Sequence, residues 1–266
     1  MVKNLTSFEI NRIFALMIYR YLVSLYLALM FLATSVVFIV VTTVLFVLTC
    51  WYDKRLKLLH LFACFWASCY TWLNPLWRVK ISGLEHIDRH KVYVMVSNHQ
   101  SVADILVIYR IFRHFKWVAK SSLFRIPVIG WNLQLNRYIR VERNMKSQRK
   151  MFRLCEKNIR RGSSLMIFPE GTRSPDGQLR SFKGGAFLIA AQQQTDIVPM
   201  VIDGTAHLIP RNRLHPFYSQ TIRLHILPPV PYKVHATMSV QETADYVRQL
   251  VNEELIRMRN PIPPQN

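Results

Sequence analysis

The side chains best suited to do chemistry in this 266-residue sequence lie in Ser97-Asn98-His99-Gln100-Ser101-Val102-Ala103-Asp104. Five residues separate His99 from Asp104, about one and a half helical turns. With His99 just outside a helix and Asp104 in its first turn, the carboxylate can accept a hydrogen bond from the imidazole. That pairing fixes the tautomer and stabilises the imidazolium, which makes a general base. Two plainer readings fit the same residues. Ser101-x-x-Asp104 before an apolar run is also the pattern of a capping box, and His99 can be an ordinary loop histidine. A third reading, a lipid hydrolase with Ser101 as nucleophile, lacks the Gly-x-Ser-x-Gly elbow around that serine.

A second group follows the apolar run Leu165-Met166-Ile167-Phe168, as Pro169-Glu170-Gly171-Thr172-Arg173-Ser174. A glycine lets backbone N–H groups come close to a substrate, and arginine offers a planar fork for phosphate. Ser174-Pro175-Asp176-Gly177 reads as a turn. Phe182-Lys183-Gly184-Gly185 then places a lysine and two glycines at a helix start, which favours anions. Taken alone, Glu-Gly-Thr-Arg also fits a loop held by a structural ion pair.

Taken together, these blocks resemble the glycerolipid acyltransferase family, and within it the 1-acylglycerol-3-phosphate (lysophosphatidic acid) acyltransferases. Asn98-His99 through Asp104 matches the family's N-H-x4-D block, and Phe168-Pro169-Glu170-Gly171-Thr172-Arg173-Ser174 matches its third block. Lys120-Ser121-Ser122-Leu123, Ile126-Pro127-x-x-Gly130 and Tyr138-Ile139-Arg140-Val141-Glu142-Arg143 are similar to the second block, with Glu142 where the family often has aspartate. Ile197-Val198-Pro199-Met200-Val201 is similar to the fourth. The resemblance covers about residues 79–230. It implies transfer of a fatty acyl group from a thioester, acyl-CoA or acyl-ACP, to the free hydroxyl of lysophosphatidic acid, making phosphatidic acid. In that scheme His99 is the base and Asp104 orients it. Arg173 takes the acceptor phosphate, with Lys120 and Arg143 as helpers. Glu170, Gly171 and Thr172 shape the site, and Pro199 lines a substrate pocket. No metal or other cofactor is implied. Related acceptors, a lyso-ornithine lipid or lysophosphatidylcholine, are the nearest alternatives; a non-catalytic lipid-binding membrane protein is a more distant one.

The elements that must position these groups follow from periodicity. Residues 79–81, 92–97, 116–119, 165–168, 197–202 and 221–227 read as strands; 102–115, 147–161 and 186–194 read as helices. A last helix starts at the capping box Ser239-x-x-Glu242 and runs to about Arg259. This alternation predicts an α/β fold with a mixed, largely parallel sheet flanked by helices. In both chemical blocks a strand runs into functional residues, and the carboxyl ends of strands are where open α/β sheets bind ligands.

Ahead of this pattern, residues 21–52 form an uncharged run of 32, and residues 58–77 an uncharged run of 20. A helix of the first length is about 48 Å, against roughly 30 Å of bilayer hydrocarbon. Two membrane helices are therefore expected, with residues 1–78 as the anchor and 79–266 as the catalytic domain. The composition combines 51% hydrophobic residues with a net charge of +20, and residues 110–161 hold 15 Lys/Arg against two acids. The aromatic stacking pattern of an RNA-binding sheet is missing, so the basic excess is assigned to anionic membrane lipid and a phosphate-bearing donor rather than nucleic acid. The four cysteines show no zinc or disulfide spacing. The expected setting is the cytoplasmic face of a bacterial inner membrane.

Overall fold

Apolar residues with no intervening charge favour a continuous helix, and the first run forms one. A computed structural model describes residues 7–142, 144–206, 208 and 219–260. In it, α1 spans Ser7–Thr49, and its stretch Phe14–Thr49 is long and apolar enough to cross a membrane. Much of its surface is bare, with Leu22, Leu25, Leu29, Leu32 and Val36 all exposed.

The second run behaves differently. Helix α2 (Lys57–Trp72) has 16 residues, about 24 Å, short of the hydrocarbon thickness. Small residues on one face, Ala63, Cys64, Ala67 and Ser68, are buried and allow close packing. His60 is buried between the Tyr138 hydroxyl (2.7 Å) and the Arg113 carbonyl (2.9 Å). Among the described residues, then, one helix has the dimensions of a span, and the second expected membrane helix lies against the α/β domain. Its other side faces α1, where the Phe38 ring stacks on Trp66 and Phe62.

The remaining elements, with α4, β4 and α7 added to those expected, are β1 (Trp77–Ser82), β2 (Val94–Ser97), α3 (Ala103–Tyr109), β3 (Phe115–Lys120), α4 (Ile129–Leu135), β4 (Ile139–Val141), α5 (Met145–Arg160), β5 (Ser164–Ile167), α6 (Gly185–Gln192), β6 (Ile197–Asp203), β7 (Gln220–Ile226), α7 (Tyr232–His235) and α8 (Val240–Arg259). The strands form one sheet in the order β1-β7-β6-β2-β5-β3-β4. Every pairing is parallel except β6 with β7, so the sheet is mixed and largely parallel. The capping box at Ser239 and Glu242 is present. The largest shift of an expected boundary is in the helix expected over 102–115, which ends at Tyr109. The apolar residues that suggested its continuation serve other purposes. Phe112 turns with φ of 47°, and Phe115 begins β3, paired with Ser164.

Both faces of the central strands are covered, which is why they read as unbroken apolar runs. Side chains alternate between two cores. Met95, Met166 and Met200 join the core under α1, α2 and α3. Val94, Val96, Leu165 and Val201 join the core under α5, α6 and α8.

Strand β3 also holds a buried charge. Lys116 of β3 is 2% exposed, and its Nζ donates to the Asn136 carbonyl at 2.7 Å, near the Tyr138 ring. Burial pushes this ammonium down to about 7, against the pull of Asp53 and with the help of Arg137. The folded value lies below the ordinary 10.5, so between these pH values the unfolded chain binds the extra proton and stability rises with pH. The thermal midpoint in detergent is expected to climb from pH 7 to 9, and Lys116→Met is expected to flatten that climb. An unchanged slope in the variant would remove Lys116 as its source.

Candidate active site

The chain leaves the carboxyl end of β2 as Asn98-His99-Gln100-Ser101 and then enters α3. Asn98 fixes this exit: its side-chain amide donates to the Ile202 carbonyl, and its carbonyl accepts from the Ile202 N–H, both at 2.8 Å. The side chain thereby continues the β2–β6 pairing beyond Ser97. His99 Nδ1 meets Asp104 Oδ2 at 2.8 Å. Asp104 is fully buried, while the His99 side chain is 15% exposed.

Asp104 has further donors. The same Oδ2 accepts from the N–H groups of Gln100 (2.7 Å) and Ser101 (2.9 Å), and Oδ1 accepts from Thr205 Oγ1 (2.5 Å). The carboxylate therefore takes amide donors at the helix entrance and holds the imidazole at once, although α3 has no side-chain cap and the reciprocal Ser101 bond of a capping box is not formed. The imidazole lies flat on Phe168, with centroids 3.9 Å apart and planes 11° apart, and Phe168 stacks in turn on Trp117. Nε2 has no hydrogen-bond partner among the described residues. Ser101 Oγ accepts only a long bond, 3.4 Å, from the Ala103 N–H and makes no bond to His99 among the described residues.

The second block follows β5, the neighbour of β2, and is tied to His99 through the backbone. Glu170 is 3% exposed. Its Oε1 accepts from the His99 N–H (2.7 Å), and Oε2 accepts from Ser174 Oγ (2.8 Å) and the Arg180 N–H (3.3 Å). Burial pushes this carboxyl up, and these donors with His99 pull it back. The Ser174 N–H returns a bond to the His99 carbonyl at 2.8 Å. Arg173, next to Ser174, is half-buried and has no hydrogen bond or ion pair to protein among the described residues. An imidazole oriented by a buried carboxylate thus sits beside a loop that carries an uncommitted guanidinium.

Residues 78–203 match the Acyltransferase family model. A 1-acyl-sn-glycerol-3-phosphate acyltransferase of Limnanthes douglasii is 30% identical over 214 residues, 75% of this chain and 70% of that protein. The chain belongs to the 1-acyl-sn-glycerol-3-phosphate acyltransferase family. A chloroplastic 1-acyl-sn-glycerol-3-phosphate acyltransferase of Arabidopsis thaliana is 38% identical over 160 residues, 59% of this chain. The chain spans 44% of the length of that relative. The crystal structure of PlsC, the 1-acyl-sn-glycerophosphate (LPA) acyltransferase from Thermotoga maritima, superposes with a TM-score of 0.71 at 26% identity. That superposition covers 90% of this chain and 98% of PlsC.

The structure brings some of the family-block residues together and leaves others apart. His99, Asp104, Glu170, Gly171, Thr172 and Arg173 share the carboxyl ends of β2 and β5. Gly171 has φ of +68°, and a Cβ there would lie 2.8 Å from Lys183 Nζ, so the lysine crosses directly over it. The Gly171 N–H donates to the Phe168 carbonyl, which leaves the Thr172 and Arg173 amides without an acceptor among the described residues. Lys120 is exposed at the carboxyl end of β3, one strand further along. Pro199 is buried inside β6 opposite Val96, below these loops. Arg143 lies outside the described residues, while neighbouring Glu142 accepts a bond from Asn144.

Thr205 escaped the sequence reading because 101 residues separate it from Asp104, and nothing local marks a lone threonine. Gly204 before it has φ of +93° and packs with no room for a Cβ against the Thr221 carbonyl, a turn that brings Thr205 back to the site. Thr205 Oγ1 also lies 3.1 Å from Gln100 Oε1. Thr205→Val leaves Asp104 Oδ1 without its donor. The expected cost is about 1.5–3 kcal/mol, or roughly 4–10 °C in thermal midpoint, with Thr205→Ser restoring most of it. Equal midpoints for the valine and native proteins would show that this bond carries no stability.

Proposed function

We propose that the chain transfers a fatty acyl group from an acyl thioester, acyl-CoA or acyl-ACP, to the free hydroxyl of 1-acylglycerol-3-phosphate, making phosphatidic acid for phospholipid biosynthesis. The observation that carries this reading is the bond from His99 Nδ1 to the buried Asp104 carboxylate, which directs Nε2 away from the protein. In this scheme Nε2 takes the proton of the acceptor hydroxyl as its oxygen attacks the thioester carbonyl. The tetrahedral oxyanion is met by amide N–H groups of the Thr172–Arg173 turn. As the C–S bond breaks, the imidazolium returns its proton to the departing sulfur. A general base of this kind supplies about 10²–10⁴-fold, and the oxyanion donors and substrate positioning supply the remainder.

Arg173 binds the acceptor phosphate as a fork, with Lys183 across Gly171 and Lys120 at the next strand as additional cations. Glu170 holds the loop rather than the substrate, because both its oxygens already have protein donors. Residues 1–78 act as the anchor: α1 holds the chain in a bacterial inner membrane, α2 seats the domain against it, and the catalytic end faces the cytoplasm and anionic lipid. No cofactor enters the scheme.

The test is transfer by the purified full-length protein to a panel of lysolipids, with both donor types, read by mass spectrometry. A higher kcat/KM on a lysolipid lacking a phosphate monoester would overturn the acceptor assignment. His99→Ala is expected to lower kcat by about 10²–10⁴-fold without loss of membrane association, and Asp104→Asn to be severely impaired because an amide does not stabilise imidazolium. Near-native turnover in a folded Asp104→Asn protein would reduce Asp104 to a helix cap.

Arg173→Ala is expected to raise KM for lysophosphatidic acid by about tenfold or more, the scale of a lost charged hydrogen bond, and to change KM for the thioester far less. Arg173→Lys should recover only part, since a point charge lacks the fork. Equal effects on the two substrates would argue against phosphate binding.

A further inference from the structure

Helix α5 carries six cations, Lys146, Arg149, Lys150, Arg153, Lys157 and Arg160, and all are exposed. Lys146, Lys150, Arg153, Lys157 and Arg160 follow at spacings of four and three, so they line one face, with Arg149 beside them. The opposite face buries Met151 and Cys155. The single acid on the helix, Glu156, is paired with Arg160 at 2.8 Å. Like charges four residues apart (Lys146 and Lys150, Arg149 and Arg153, Arg153 and Lys157) weaken a helix. Lys146 in the first turn also opposes the helix dipole. Within the chain this arrangement is unfavourable, and an anionic partner would relieve it.

The fold settles where such a partner would stand. Helix α5 connects β4 to the parallel strand β5. It therefore starts at the carboxyl ends of the strands, the same end of the sheet as the candidate active site, two strands beyond β5, and runs back along the sheet. Its buried residues belong to the core shared with α6 and α8, whereas α1 and α2 pack on the other face of the sheet. The basic stripe is thus on the side away from α1, the helix with the dimensions of a membrane span. A 16-residue helix is about 24 Å long, more than one nucleotide head group would cover.

We propose that the basic face of α5 docks the acidic surface of a small carrier protein that delivers the acyl thioester to the His99 site. This rests on the acyl-transfer reading above and names the partner that supplies the donor. Its charge would act chiefly on association, so kcat/KM with the carrier-bound donor should fall steeply with salt.

The test compares the full-length protein with an Arg149→Glu/Arg153→Glu/Lys157→Glu variant. The donors carry the same acyl chain on acyl carrier protein or on CoA, and binding of the unacylated carrier is measured in parallel. The expected result is a rise of about tenfold or more in KM for the carrier-bound donor and matching loss of carrier binding. The CoA donor should stay within about twofold, with an unchanged thermal midpoint. Equal loss with both donors, or a native protein that neither binds the carrier nor uses its thioester, would overturn the dock. So would a variant that keeps its carrier KM but no longer binds phosphatidylglycerol vesicles, because that result assigns the stripe to the bilayer. Carrier binding that depends on the stripe, with no transfer from either donor, would sustain the dock and defeat the acyl-transfer reading instead.

Discussion

The candidate site depends on one buried carboxylate. Burying an ionised Asp104 side chain costs several kcal/mol unless hydrogen bonds replace its water. Four donors do so: one imidazole nitrogen, two backbone amides and one threonine hydroxyl. They come from the loop after β2 and from the turn after β6, so Asp104 is satisfied only when those two strands are in register. The bidentate contact of Asn98 with Ile202 sets that register at the same level. The fold and the orientation of His99 are therefore parts of one arrangement, and loss of either strand pairing would leave an uncompensated charge.

Glu170 repeats the principle in the neighbouring loop. It too is a buried carboxylate surrounded by donors, and one of them is the backbone N–H of His99. The two acids grip the histidine from opposite ends, Asp104 by its ring and Glu170 by its main chain. Arg173 is half-buried and does not pair with Glu170 among the described residues. The ion pair that Glu-Gly-Thr-Arg suggests as a plain structural reading is not formed among the described residues.

The sheet also separates two environments. One face carries the apolar α1 and the half-buried α2, and the other carries the strongly basic α5. The carboxyl ends of β2 and β5 lie at the edge shared by these layers. In the acyl transfer proposed above, a bilayer lipid and a donor in water would meet at that edge.

Much of this was legible in the sequence, for local reasons. Apolar runs between polar turns gave the strands, and the capping box gave the start of α8. The spacing of His99 and Asp104 gave a pair that can meet within one loop and one helical turn. The tertiary structure decided whatever depends on residues far apart in the chain. Hydropathy could not distinguish a membrane span from a helix packed against a domain, since both exclude water; the contacts of His60 with Tyr138 and Arg113 show that α2 packs on the domain through that face. The helix expected through Phe115 stopped at Tyr109, because Phe112 turns the chain and Phe115 pairs in the sheet. Thr205 has no local signature, since a hydroxyl 101 residues away acquires its meaning only when β6 lies beside β2 and Gly204 turns the chain back toward Asp104.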